Sequence, residues 1–183
     1  MPLSDKIFPL SMIALAFIMG FSTFIVLKSN SEKMQELEKI PRNRLWGTAL
    51  GIFVLLWCAM ESRPLVSESF QKYLIPLAVF GTWVGYMFLD YLFARVLGGF
   101  FILLAHYYLF ESFAFKTPLK PLFPILCFIM GTFGILIAGK PYLLRDLIRK
   151  ILTNKKWKSA TVAVLTTYTI SGFAFGIHHI MTH

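Results

Sequence analysis

The chain reads as an all-α integral membrane protein of six transmembrane helices arranged as hairpins, and three observations predict it. Of 183 residues, 57% are hydrophobic and 15% are charged, with a mean hydropathy of +0.68; a soluble domain carries about a quarter charged residues. The apolar residues gather in runs that suit a hydrocarbon layer about 30 Å thick, which takes about 20 helical residues to cross. Lys and Arg fall between those runs, and their number alternates from one connection to the next.

The first span is Ile7 to Leu27. It ends in IVLKSN without a small-residue cleavage pattern, so it reads as a retained helix and not as a signal peptide. The second and fifth spans, Leu45 to Met60 and Leu122 to Ala138, are short and would tilt little. Between them lie 43 nearly uninterrupted apolar residues, Tyr73 to Phe115. One helix of that length would run about 65 Å, twice the hydrocarbon thickness, so the chain must turn. Asp90 and Arg95 mark the turn and divide the stretch into Tyr73 to Phe93 and Val96 to Phe115. The sixth span is Ala160 to Ile180.

Orientation follows from basic residues in short connections, which stay on the cytoplasmic side. The first, third and fifth connections hold thirteen Lys and Arg, whereas the amino-terminal tail and the even connections hold five. Both termini are therefore expected outside, in a cytoplasmic membrane of bacterial type. The formal net charge of +9 is explained by this asymmetry and by anionic lipid headgroups, without nucleic acid. Two cysteines, Cys58 and Cys127, lie inside apolar runs without CxxC spacing.

Two connections have a helical character of their own. In residues 141–152, Leu144, Leu147, Ile148 and Ile151 alternate with Arg145, Asp146, Arg149 and Lys150, the pattern of a two-faced helix lying in the inner headgroup layer, with Pro141 at its start. Residues 29–40 repeat this more thinly: Ser29 and Glu32 have capping-box spacing, Met34, Leu37 and Ile40 form a stripe, and Pro41 ends it.

An internal repeat accompanies these connections. Shifting the chain by 111 positions lays KIPRNRLWGTA (Lys39 to Ala49) over KILTNKKWKSA (Lys150 to Ala160), with five of eleven residues identical. FIMG at Phe17 to Gly20 returns at Phe128 to Gly131 under the same shift. The repeat is parallel, with units 7–60 and 118–180 around a central hairpin 73–115, all within one transmembrane domain, 1–183. Arg44, Trp46, Arg145, Arg149, Lys150, Lys155, Lys156 and Trp157 are the expected interface anchors, because basic side chains snorkel and indoles settle at headgroup depth.

Polar groups inside a membrane are costly and mark candidate sites. His106 stands eleven residues beyond Arg95, about 16 Å along its helix and near the midplane. His178, His179 and His183 stand at the end of the sixth span, and the last two are four apart, as metal ligands on one helix face would be. The segment RVLGGFFILLAH (Arg95 to His106) is similar, over twelve residues, to the Arg, Leu-Gly and His spacing of ferric-reductase-like haem membrane proteins. That resemblance implies paired histidines at matching depths. Here His178 lies about 11 Å higher than His106, which departs from the pattern.

Glu61, Arg63, Glu68, Glu111, Tyr107 and Tyr108, with Cys58 below them, form an expected outer belt. No Ser/His/Asp set, phosphate-binding glycine loop or HExxH occurs, so the chain leans away from an enzyme, and no cofactor is firmly implied. Glycine pairs at 47 and 51, 81 and 85, and 172 and 176 permit close helix crossings. The expected role is that of an accessory or assembly subunit in a membrane complex, in contact with the bilayer and other membrane proteins. A small-solute transporter with a midplane site at His106 is the alternative, and a haem- or metal-binding redox protein is the third reading.

Overall fold

The computed structural model describes residues 3–29, 37–114 and 122–182. Among them are seven α-helices and no strands: α1 (Leu3–Lys28), α2 (Arg44–Glu61), α3 (Glu68–Phe88), α4 (Leu92–Ala114), α5 (Leu122–Gly139), α6 (Tyr142–Thr153) and α7 (Lys155–Thr182). Five of them contain stretches long and apolar enough to cross a membrane: Ile7–Lys28, Arg44–Glu61, Leu92–Phe113, Leu122–Gly139 and Lys155–Met181. The chain therefore has the make-up of a membrane protein. Helix α3 has the length, 21 residues, but Glu68, Gln71 and Lys72 in its first turns lower its apolar content, and it is not among the five.

The helix breaks have local causes. The long apolar stretch does turn, at Leu89–Tyr91, between α3 and α4. This lies just before the expected place, so Arg95 falls inside α4. Tyr91 takes φ = 56°, a left-handed conformation unusual outside glycine. Asn43 opens α2: its side-chain oxygen accepts from the backbone N–H of Leu45 (3.0 Å) and Trp46 (3.3 Å). Asn154 opens α7 in the same way, accepting from Lys156 N–H at 2.9 Å. Pro41 sits in a short 3-10 turn, Ile40–Arg42, and Pro141 immediately precedes α6. The Ser29 hydroxyl donates to the Val26 carbonyl at 2.8 Å, closing the end of α1. Most of the 29–40 segment, including Glu32 and Met34, lies outside the described residues.

The chain clusters into two compact units, each assembled from separated stretches. The first lies within Met1–Met34, Tyr107–Phe128 and Leu147–His183. In it the first and last helices, α1 and α7, lie along one another. Gly172 and Gly176 make this approach close, since a Cβ on them would stand 3.0 Å from Ala16 Cβ and 2.8 Å from Ile13 Cγ1. One end of the unit is filled by aromatic rings. Phe8 and Tyr108 are fully enclosed with centroids 6.1 Å apart, and Phe123 meets Phe175 edge-on at 4.8 Å. The Tyr168 hydroxyl donates to the Leu126 carbonyl at 2.8 Å.

The second unit lies within Gln35–His106 and Ile129–Asp146. Helices α2 and α3 pack along one another there, with Gly51 opposite Thr82 and Gly81 opposite Leu55. The tightest crossing joins α4 and α5: a Cβ on Gly98 would meet the Gly134 carbonyl oxygen at 2.6 Å, and one on Gly134 would meet the Gly98 oxygen at 2.7 Å. All three glycine pairs noticed in the sequence make contacts inside their own unit. The Gly98–Gly134 crossing escaped notice because its two glycines are on different helices.

Candidate functional site

The histidines part company. His106, in the middle of a membrane-spanning stretch, lies on the exposed side of α4. His178 is exposed as well, while His179 is buried at the aromatic end of the first unit, its ring 5.4 Å from that of Phe8. Neighbours on a helix point about 100° apart, which separates these two adjacent imidazoles. His183 lies outside the described residues. Among the described residues no three His, Cys, Asp or Glu side chains come together in a metal-binding group. Beside His179 in that end, the Tyr108 hydroxyl is enclosed without a geometrically complete hydrogen bond, and the Ser11 hydroxyl is the polar group next to it. Ser11 itself donates to the Phe8 carbonyl at 2.7 Å.

The expected outer belt divides between the units. Tyr107, Tyr108 and Glu111 belong to the first, and Cys58, Glu61, Arg63 and Glu68 to the second. In the second, Glu61 accepts from the Trp57 indole at 3.1 Å, and Trp57 meets Phe53 at a tilt and Phe100 edge-on, with centroids 6.0 and 6.2 Å away.

The most organised polar arrangement lies elsewhere in the second unit, around the left-handed Tyr91. Three separate elements bring cations to it. The Arg42 guanidinium, from the 3-10 turn, stands over the Tyr91 ring at 5.2 Å from its centre. Arg145 of α6 donates through Nη1 to the Tyr91 hydroxyl at 3.2 Å and through Nε and Nη2 to Asp146 Oδ1 at 3.2 and 3.0 Å. Arg95, one turn into α4, donates to the Asp90 carbonyl at 3.4 Å and to the Ala138 carbonyl near the end of α5 at 3.3 Å. It thereby ties the turn to the last carbonyls of a neighbouring helix, which need such partners. Arg44, at the first position of α2, lies over the Tyr86 ring at 5.9 Å. Sequence reasoning singled out Arg44 and Arg145 as separate anchors and missed Arg42 and Tyr91. The signal it could have used is the polar interruption DY between two spans, in a connection of the same odd-numbered set as the two most basic ones.

Of the remaining anchors, Trp46 belongs to the second unit and the others to the first. Lys150 Nζ sits 5.2 Å from the Trp157 ring centre, and Arg149, Lys155 and Lys156 are exposed. Trp46 and Trp157 are 64% and 45% exposed, as indoles meeting lipid headgroups would be. Comparison with protein-family models, with curated proteins and with solved structures finds no match to the chain.

Proposed function

We propose that the chain is a six-span protein with both termini outside, built on a parallel duplication, that serves as an accessory or assembly subunit of a membrane complex. The sixth span would be α3. Its support is the register of α3 against α2: Gly51 faces Thr82 and Leu55 faces Gly81, so α3 runs antiparallel beside a helix that itself qualifies as a span. At about 1.5 Å per residue its 21 residues reach about 31 Å, enough to cross. With six spans the basic connections after α1 and around α6 share one side, which the positive-inside rule makes cytoplasmic, and a bacterial inner membrane fits that charge pattern. The exposed Arg149 and Lys150 beside the buried Ile151 suit a helix α6 lying in that interface.

The observation that carries the subunit reading is the exposure of His106 on α4, within a spanning stretch. A solute or haem site would turn the imidazole inward. An exposed polar side chain within a spanning stretch offers a partner helix a place for polar contact.

Purification in mild detergent should bring a second membrane protein with the chain, and His106→Ala should weaken that association. A lone, colourless, metal-free monomer would sink the subunit reading, and a Soret band would replace it with haem binding. Membrane-impermeant thiol labelling of single cysteines at Lys72 and Arg149 tests the topology separately: six spans require opposite sides.

A further inference from the structure

We propose that Arg42 and Arg145, which meet at Tyr91, form with Arg44, two positions after Arg42, a binding site for the phosphate of an anionic phospholipid. The inference requires that the helices span a membrane, and it is independent of any protein partner.

Four features of the second unit lead to it. First, the backbone brings the cations together: Tyr91 adopts a left-handed conformation that is costly for a non-glycine residue, with its ring under Arg42 and its hydroxyl beside Arg145. Strained residues of this kind persist where surrounding structure holds them and gather at ligand sites. Two guanidinium groups thus meet one tyrosine, with Asp146 offsetting part of the charge of Arg145. Second, Arg42 and Arg44 are exposed, so their guanidinium groups are reachable from outside, while Arg145 is 35% exposed at its side chain and held by Asp146 and Tyr91. Guanidinium forks suit phosphate oxygens. Arg95, which bonds two backbone carbonyls, is a positioning residue for the turn and not a ligand.

Third, large apolar groups adjoin the arginines along the chain. Leu45, Trp46 and Phe88 are 78%, 64% and 79% exposed, immediately after Arg44 and immediately before the Tyr91 turn. Exposed apolar side chains therefore flank the site along the chain, which suits an amphiphile better than a free anion. Fourth, the place is right. Two qualifying spans begin at Arg44 and Leu92, and a third ends at Gly139, so the cluster marks the level where hydrocarbon gives way to headgroups. Basic sites between helix ends at that level are suited to anionic lipids.

The test uses the full chain in a neutral detergent, with affinities measured for dioctanoyl phosphatidylglycerol, dioctanoyl phosphatidylcholine and inorganic phosphate. Phosphatidylglycerol should bind at least about tenfold more tightly than phosphatidylcholine, with an affinity that falls as salt rises. Arg42→Gln with Arg44→Gln should remove about tenfold or more of the phosphatidylglycerol affinity and leave phosphatidylcholine unchanged. Lys72→Gln, sixteen positions before Phe88 and about 24 Å away along α3, should leave both unchanged. If the double glutamine variant fails to fold, Arg42→Lys with Arg44→Lys keeps the charge, loses the planar fork, and should still weaken phosphatidylglycerol binding severalfold.

Equal affinity for the two lipids would overturn the proposal, as would an equal loss on Lys72→Gln. Inorganic phosphate binding as tightly as phosphatidylglycerol would assign the site to a soluble anion and overturn the lipid. Retention of each variant in membranes after alkaline carbonate extraction reports on the spanning helices separately.

Discussion

The two copies of the KIxxN[RK]xWx[TS]A block begin alike and end in different work. In each, asparagine caps the following helix, a basic residue follows, and an exposed tryptophan comes three positions after the cap. They diverge on both sides of this shared core. Before Asn43 the chain makes a proline-containing 3-10 turn; before Asn154 it completes the helix α6. One position after tryptophan the contrast is sharpest. Gly47 lets α2 approach the backbone of Phe93, where a Cβ would stand 2.7 Å from the amide nitrogen. Its counterpart Lys158 instead reaches the end of α1 and donates to the Leu27 and Ser29 carbonyls at 3.0 and 2.9 Å. The first copy closes a gap between helices and the second ties off a helix end. The same cap thus starts a helix in either setting, while the residue one step past tryptophan records which neighbour that helix has.

Substitutions at matched positions should separate these roles, read as unfolding of the purified protein in mixed anionic and neutral detergent micelles. Gly47→Leu should have the largest effect, about 3 kcal/mol or more, because neither the Phe93 backbone nor Leu92 can move aside cheaply. Lys158→Leu introduces the same side chain at the matched position and should cost only about 1 kcal/mol, the worth of the lost carbonyl bonds. Equal costs would erase the distinction.

Next come the caps. Asn43→Ala should cost about 1 kcal/mol and Asn154→Ala about half that, since the first accepts from two backbone N–H groups and the second from one. The smallest effect is expected for Lys150→Ala, about 0.5 kcal/mol, with a shift in Trp157 emission as the cation leaves the indole face. Arg44 should leave Trp46 emission unaltered when replaced, because it lies over Tyr86 instead.

Much of this was legible in the residues. The helices expected at Ile7 to Leu27, Leu45 to Met60 and Leu122 to Ala138 match α1, α2 and α5 closely, since their ends are set by Lys28, Asn43 and Lys140 against long apolar runs. The third expected span was misplaced: Tyr73 to Phe93 became Glu68–Phe88. Glu68 and Lys72 were read as connection, yet Glu68 suits a first helical turn. The turn at Tyr91 also had no glycine to announce its left-handed backbone.

The sites were harder. His106 and His179 look equivalent as imidazoles in apolar surroundings, but one is exposed and the other is packed against Phe8. Nothing in their neighbours distinguishes them, because spans such as α4 and α7 are apolar on every side, and an all-round apolar helix carries no periodicity that marks its inner face.

The sequence by itself therefore determined the membrane class and the ends of α1, α2 and α5. These depend on local chemistry: hydrocarbon-length apolar runs and the polar residues that bound them. Tertiary structure alone decided that α1 packs on α7, that Gly98 crosses Gly134, and that arginines from distant segments converge on one tyrosine. Lipid is as apolar as leucine, so helix partners in a membrane are chosen by shape and by a few polar bonds, and those become visible only when the surfaces meet.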